Sequence, residues 1–251
     1  MNNRSARLIR RFLFGCALSL SAACATAFDE QAAKIDHGVA AGGALTPAQG
    51  EQARVFKDVP EKIDARARYL FYLHGRIVED RGIRPVSEQH GVYEYEKIVD
   101  AFKGAGFVVI SEARAKDTDV KQYAAKVVGQ IDALLKAGVP PRHVTVVGAS
   151  KGSMIAMQAS SLLKGGDVNF VLIAGCGEQT LKNSELNLNG RVLSIYDASD
   201  AGAGTCEKLF ARSTGLSGRS ELKLNLKLGH GFIYRPLKEW VEPAVAWAKE
   251  S

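Results

Sequence analysis

Val144-Thr145-Val146-Val147-Gly148-Ala149-Ser150-Lys151-Gly152-Ser153-Met154 decides the fold of this 251-residue chain. A β-branched run ends at Gly148, and Gly-Ala-Ser-Lys-Gly follows. Met154, Ile155, Met157, Leu162 and Leu163 are then spread over a segment without proline. The pattern reads as strand, sharp turn, helix, with Ser150 at the apex. A side chain held on a strained strand-to-helix turn needs neighbours that lack a Cβ, so that strand and helix can approach.

Strand and helix signals alternate on both sides. Arg68 to Leu73 and Phe107 to Ile110 are continuous apolar runs, as expected of strands covered on both faces. Tyr95, Ile98, Val99 and Phe102 fall at helical spacing, with Gly104 and Gly106 to stop the helix. Asp119 and Gln122 form a capping pair ahead of the stripe Val120, Tyr123, Ala124, Val127, Val128, Ile131, Leu134 and Leu135, which Pro140 and Pro141 end. Phe170 to Ala174, Val192 to Tyr196 and Leu222 to Leu228 read as further strands. Pro236 opens a last helix that Pro243 interrupts. The alternation gives an α/β fold with a mostly parallel sheet. His74 to Gly91 reads as one long charged loop, and Arg54 to Val59 as a short strand.

Residues 1–27 read as a cleavable signal peptide. Arg4, Arg7, Arg10 and Arg11 precede an apolar stretch from Phe12 to Ala23, and Ala25-Thr26-Ala27 is a small-x-small cleavage site. Cys24 leaves a lipoprotein as the lesser alternative. Residues 28–251 form a single domain in this reading, in the periplasm or outside the cell, with no stable membrane insertion after cleavage. Removing four arginines takes the net charge from +6 to about +2. No basic stripe then argues for nucleic acid. No His-Glu-x-x-His or paired-cysteine spacing suggests a metal, and no cofactor is implied. Two of the four cysteines, Cys176 and Cys206, lie outside the leader.

Gly148-Ala149-Ser150-Lys151-Gly152 resembles the nucleophile elbow of the α/β-hydrolase superfamily. Tyr69-Leu70-Phe71-Tyr72-Leu73-His74-Gly75-Arg76 resembles its strand ending in His-Gly at the oxyanion loop. The likeness runs from Arg68 to the C-terminus. It implies a sheet reduced on the N-terminal side, and only about fifteen residues between Ala174 and Gly190 leave no room for a cap domain. It implies a Ser-His-Asp triad with Ser150 as nucleophile and His230, in Leu228-Gly229-His230-Gly231-Phe232, as base. Asp200 takes the acid position after the strand Val192 to Tyr196, and Asp197 is the alternative acid. The backbone N–H groups of Lys151 and Arg76 are the implied oxyanion donors. The same layout makes the strands leading to Cys176 and Cys206 neighbours, so these cysteines are expected to form a disulfide.

The expected activity is hydrolysis of a carboxylic ester or thioester through an acyl-serine. The alternatives are a binding or scaffold protein on the same fold and a small-peptide serine peptidase. The partner is a small-molecule ester, small or extended and soluble. The site is expected to be bordered by the loop from Arg76 to Gly91, with Tyr93, Glu112 and Arg114 at its rim.

Overall fold

A computed structural model of the chain describes residues 55–163 and 165–250. Residues 1–54, which include the expected leader at 1–27, lie outside the described residues. The strands of the main sheet are β1 (Val55–Phe56), β2 (Tyr69–Leu73), β5 (Val108–Ile110), β6 (Val144–Ala149), β7 (Asn169–Ile173), β8 (Asn189–Asp197) and β9 (Gly215–Leu224). They lie in the order β1-β5-β2-β6-β7-β8-β9, and every adjacent pair is parallel. The expected reduced, mostly parallel sheet is therefore present.

The helices cover both faces because the strands alternate. Tyr69, Phe71 and Leu73 pack in one layer with α3 (Val120–Lys136) and α4 (Lys151–Leu162). Leu70 and Tyr72 pack in the other with α2 (Tyr95–Gly104) and α7 (Lys238–Lys249). Successive side chains of a strand point to opposite faces, so a strand apolar at every position needs helices on both. The stripes on α3 (Ala124, Val127, Ile131, Leu134) and α2 (Ile98, Val99, Phe102) supply the matching apolar surfaces. The Asp119 side chain accepts from the Gln122 N–H at 2.8 Å, which caps α3.

Several boundaries differ from the sequence reading. The long loop after β2 contains a helix, α1 (Arg76–Arg81), and a small antiparallel hairpin, β3 (Val86–Ser87) with β4 (Gly91–Val92). These elements are too short to show a periodicity. Helix α3 ends ahead of its prolines, at Lys136, and Gly138 follows its C-cap with φ +88°. Pro236 precedes the N-cap Leu237 of α7 instead of opening the helix. Strand β9 starts earlier and ends earlier than its apolar run, because its first half is an exposed sheet edge. Between β7 and β8 there is only α5 (Glu178–Lys182), and α6 (Glu207–Arg212) joins β8 to β9.

The chain runs from β2 outward to β5 and then crosses back to β6, so the direction of winding reverses between β2 and β6. In open α/β sheets the crevice at such a reversal, beyond the C-terminal strand ends, is where ligands bind. Gly75 and Arg76 follow β2 there, and Ser150 follows β6.

Candidate active site

The turn at Ser150 is held in a conformation that L-residues avoid, φ 53° and ψ −117°. Its neighbours explain how. A Cβ on Gly148 would lie 2.3 Å from the Gly152 carbonyl oxygen, and one on Gly152 would lie 1.8 Å from the Leu73 carbonyl oxygen. Only glycine lets strand, helix and the end of β2 come this close. The Ser150 N–H donates to the Ile173 carbonyl at 2.9 Å, and the Ser153 hydroxyl reaches the Gly148 and Ile173 carbonyls at 2.6 and 2.7 Å. The apex is thus fastened to β7.

His230 arrives from the segment after β9, in a short 3₁₀ helix, Gly229–Tyr234. Its Nε2 lies 2.9 Å from Ser150 Oγ, and its Nδ1 lies 2.7 Å from Asp200 Oδ2. A carboxylate only accepts, so Nδ1 carries the ring proton and Nε2 is left to accept from the serine hydroxyl. The Asp200 side chain is 2% exposed and that of His230 32% exposed. The other Asp200 oxygen accepts the Gly202 N–H at 2.9 Å. The three residues read from the sequence are brought together, separated by 80 and 30 positions in the chain.

Asp197 faces backbone instead of the His230 ring. It is fully buried and binds the backbone that carries its neighbours. One oxygen accepts the Ser199 N–H at 3.0 Å and the Ser199 hydroxyl, and the other accepts the Leu226 N–H at 2.6 Å. The Ser199 hydroxyl oxygen in turn accepts the Gly229 N–H at 2.9 Å. Asp197 therefore clamps the Asp200 turn to the segment leading into His230. Burial works against its charge, but hydrogen bonds from Ser199, Leu226 and Lys227 outweigh this and hold its pKa below the ordinary carboxylate value.

The N–H groups of Arg76 and Lys151 open α1 and α4. As first-turn groups they have no acceptor within their helices, and they lie at the positive ends of the helix dipoles. A Cβ built on Gly75, the N-cap of α1, would lie 3.6 Å from Ser150 Cβ. The two helix ends therefore flank the serine.

Below them lies a buried charged group that the sequence reading missed. Glu79 is ion-paired to Arg114 at 2.8 Å and to the Lys151 ammonium, and the Glu79 and Arg114 side chains are wholly buried. Arg114 also donates its N–H to His74 Nε2 at 2.9 Å and its guanidinium to the His74 carbonyl. His74 Nδ1 lies 2.8 Å from the Gly75 carbonyl and donates to it, since Nε2 is the acceptor. Burial, reinforced by the Arg114 charge, pushes the His74 pKa down to about 3, so the ring is neutral.

A cleft of about 480 Å³ opens over Ser150 and His230. Its walls come from Arg76, from the stretch Ala174 to Thr180, from Ala201 and Gly202, and from Val120 and Met154. The expected rim residues are elsewhere. Tyr93 is buried, with its hydroxyl 2.6 Å from that of Tyr72. Arg114 is engaged beneath the site, and Glu112 accepts from the Tyr123 hydroxyl at 2.9 Å and the Lys126 ammonium at 2.5 Å. Of the segment from Arg76 to Gly91, only Arg76 lines the cleft. The opposing wall is fixed by the Cys176–Cys206 disulfide, with a Cα–Cα distance of 5.2 Å.

No family model and no curated protein matches the chain. Solved structures do. A metagenome-derived lipolytic enzyme has a TM-score of 0.50 at 13% identity, over 79% of this chain and all of its own. An esterase/lipase from an uncultured bacterium has a TM-score of 0.50 at 14% identity, over 73% of this chain and 75% of its own. The chain has the α/β-hydrolase fold.

Proposed function

We propose that this chain is an exported serine hydrolase that cleaves carboxylic esters or thioesters. The observation that carries the reading is the hydrogen-bonded series Ser150, His230, Asp200 at the strand ends, between two helix N-termini. Ser150 Oγ attacks the ester carbonyl carbon as its proton passes to His230 Nε2. Asp200 holds the imidazole in its tautomer and stabilises the imidazolium, taking no proton itself. The carbonyl oxygen becomes an oxyanion that accepts from the N–H groups of Lys151 and Arg76. Collapse breaks the ester bond, and His230 returns its proton to the departing alcohol or thiol. Water then repeats the sequence on the acyl-serine and releases the acid.

The resemblance in fold to proteins described as lipolytic enzyme and esterase/lipase supports ester chemistry. The disulfide supports an oxidising compartment and, with the basic, apolar leader, export to the periplasm or beyond. The cleft size and its short apolar lining (Val120, Met154, Ala174, Ala201) favour small or extended soluble esters. The test is steady-state hydrolysis of p-nitrophenyl acetate by wild type and Ser150→Ala. The variant should lose at least about a thousandfold in kcat. A wild type inert to short esters, or a variant with wild-type rate, would overturn the proposal.

A further inference from the structure

We infer that Glu79 is a positioning residue, which ties together the two helix N-termini whose N–H groups receive the oxyanion; this rests on the hydrolase reading above. Helix α1 begins at Arg76, one donor, and Glu79 is its fourth residue. Helix α4 begins at Lys151, the other donor, and the Lys151 side chain is ion-paired to Glu79 Oε2. The salt bridge therefore joins the residue that supplies one amide to the first turn of the helix that supplies the other. The second Glu79 oxygen accepts Arg114 Nε, and Arg114 binds both the carbonyl and the ring of His74, the residue before the N-cap of α1. One carboxylate thus links the segments that follow β2, β5 and β6.

Lysine, arginine and glutamate are rarely this buried, and an ion pair taken out of water is seldom more stabilising than an apolar replacement of the same volume. Stability alone gives little reason to keep these charges. A geometric reason is at hand. Helix α1 has six residues, sits on a loop and has no side-chain cap. Nothing intrinsic to so short a helix holds its first N–H steady to the fraction of an ångström that transition-state hydrogen bonding requires. Lys151 belongs to the elbow, which is hydrogen-bonded to β7, and Glu79 passes that restraint to α1.

The cluster holds two cations to one carboxylate, so its excess positive charge could also act on an oxyanion directly. Two variants separate the effects. Lys151→Met removes the tie and leaves a neutral Glu79–Arg114 pair, which keeps folding within reach. Lys151→Met with Glu79→Gln removes the tie and restores the single excess positive charge. Both keep the Lys151 backbone N–H in place. The measurements are kcat and KM for p-nitrophenyl acetate, inhibition by a boronic acid that forms a tetrahedral adduct on the serine, and the thermal midpoint of each variant. Positioning by Glu79 requires both variants to lose about 10- to 100-fold in kcat. It requires KM to stay within about threefold and boronate affinity to weaken in step with kcat/KM. Loss in the single variant but not the double would assign the effect to charge and overturn the inference. So would wild-type kinetics in both. A wild type that neither hydrolyses the ester nor binds the boronate would overturn the hydrolase reading itself, and this inference with it.

Discussion

Replacing both Cys176 and Cys206 with alanine should cost stability and turnover together. The bridge spans 30 positions of sequence. Closing a loop of that length in the unfolded chain corresponds to about 3–4 kcal/mol at 25 °C. In a domain of roughly 200 residues each kcal/mol moves the thermal midpoint by about 2–4 °C, so a fall near 10 °C is expected. The rate effect follows from what the bridge holds. The Gly204 N–H donates to the Cys176 carbonyl at 3.1 Å, while Gly202 in the same turn donates to Asp200 Oδ1. On the other side of the bridge, Ala174 to Thr180 forms the cleft wall. Freeing both ends loosens the carboxylate that orients His230 without removing it. Complete loss of that orientation costs about 10⁴ in kcat, so a partial loss near tenfold is the expected size. The assay pairs thermal unfolding with ester turnover, for wild type and variant, with and without reductant. Wild type should respond to reductant and the variant should not. A variant that keeps its midpoint within about 2 °C and its kcat unchanged would refute the reasoning.

Asp200→Asn should lower kcat by about 10⁴ while the thermal midpoint stays near wild type. Asp197→Asn should instead lower the midpoint, because an amide nitrogen would face the Leu226 or Ser199 N–H, a buried loss of about 1–3 kcal/mol; a reversed pattern in the two variants would exchange their roles. Gly152→Ala should be destabilised by more than about 3 kcal/mol, since its Cβ would meet the Leu73 carbonyl at 1.8 Å, and a native midpoint would contradict the elbow geometry. His74 refuses a proton until pH falls to about 3, whereas the unfolded chain takes it near 6.5. The unfolded state therefore binds more protons between those values, and the stability His74 contributes is full above pH 6.5 and lost as pH falls toward 3. Urea unfolding should show about 2 kcal/mol less stability from this group at pH 5 than at pH 7.5, and His74→Gln should lack that part of the change; an equal slope in both proteins would count against the buried neutral ring. Turnover of p-nitrophenyl esters should fall as the acyl chain grows from two to sixteen carbons, and a steady rise would exclude the small cleft as the acyl site.

The fold was legible because buried parallel strands are continuous apolar runs, and β2, β6 and β7 carry little else. Ser150 stood out because its turn needs glycine on both sides, a local demand visible in five residues. His230 and Asp200 could be read because each lies just past a strand end on the same sheet edge. The choice between Asp197 and Asp200 needed coordinates, since both lie at or just past the end of β8, and only the fold shows that Asp197 faces backbone while Asp200 faces the His230 ring. The rim was not legible because α1 and the β3–β4 hairpin are too short to register as periodic patterns, and because a charged residue after a strand can turn beneath the cleft, as Arg114 does, as readily as face it. Glu79, Arg114 and Lys151 lie 35 and 72 positions apart in chain, so no local pattern joins them.

The claim that Ser150 is an activated nucleophile is tested most directly by a fluorophosphonate reagent followed by peptide mass spectrometry. The account predicts one phosphonyl adduct per chain, located on Ser150 and abolished in Ser150→Ala, with labelling slowed in His230→Ala. An unlabelled wild type, or an adduct on any other residue with Ser150 unmodified, would contradict it.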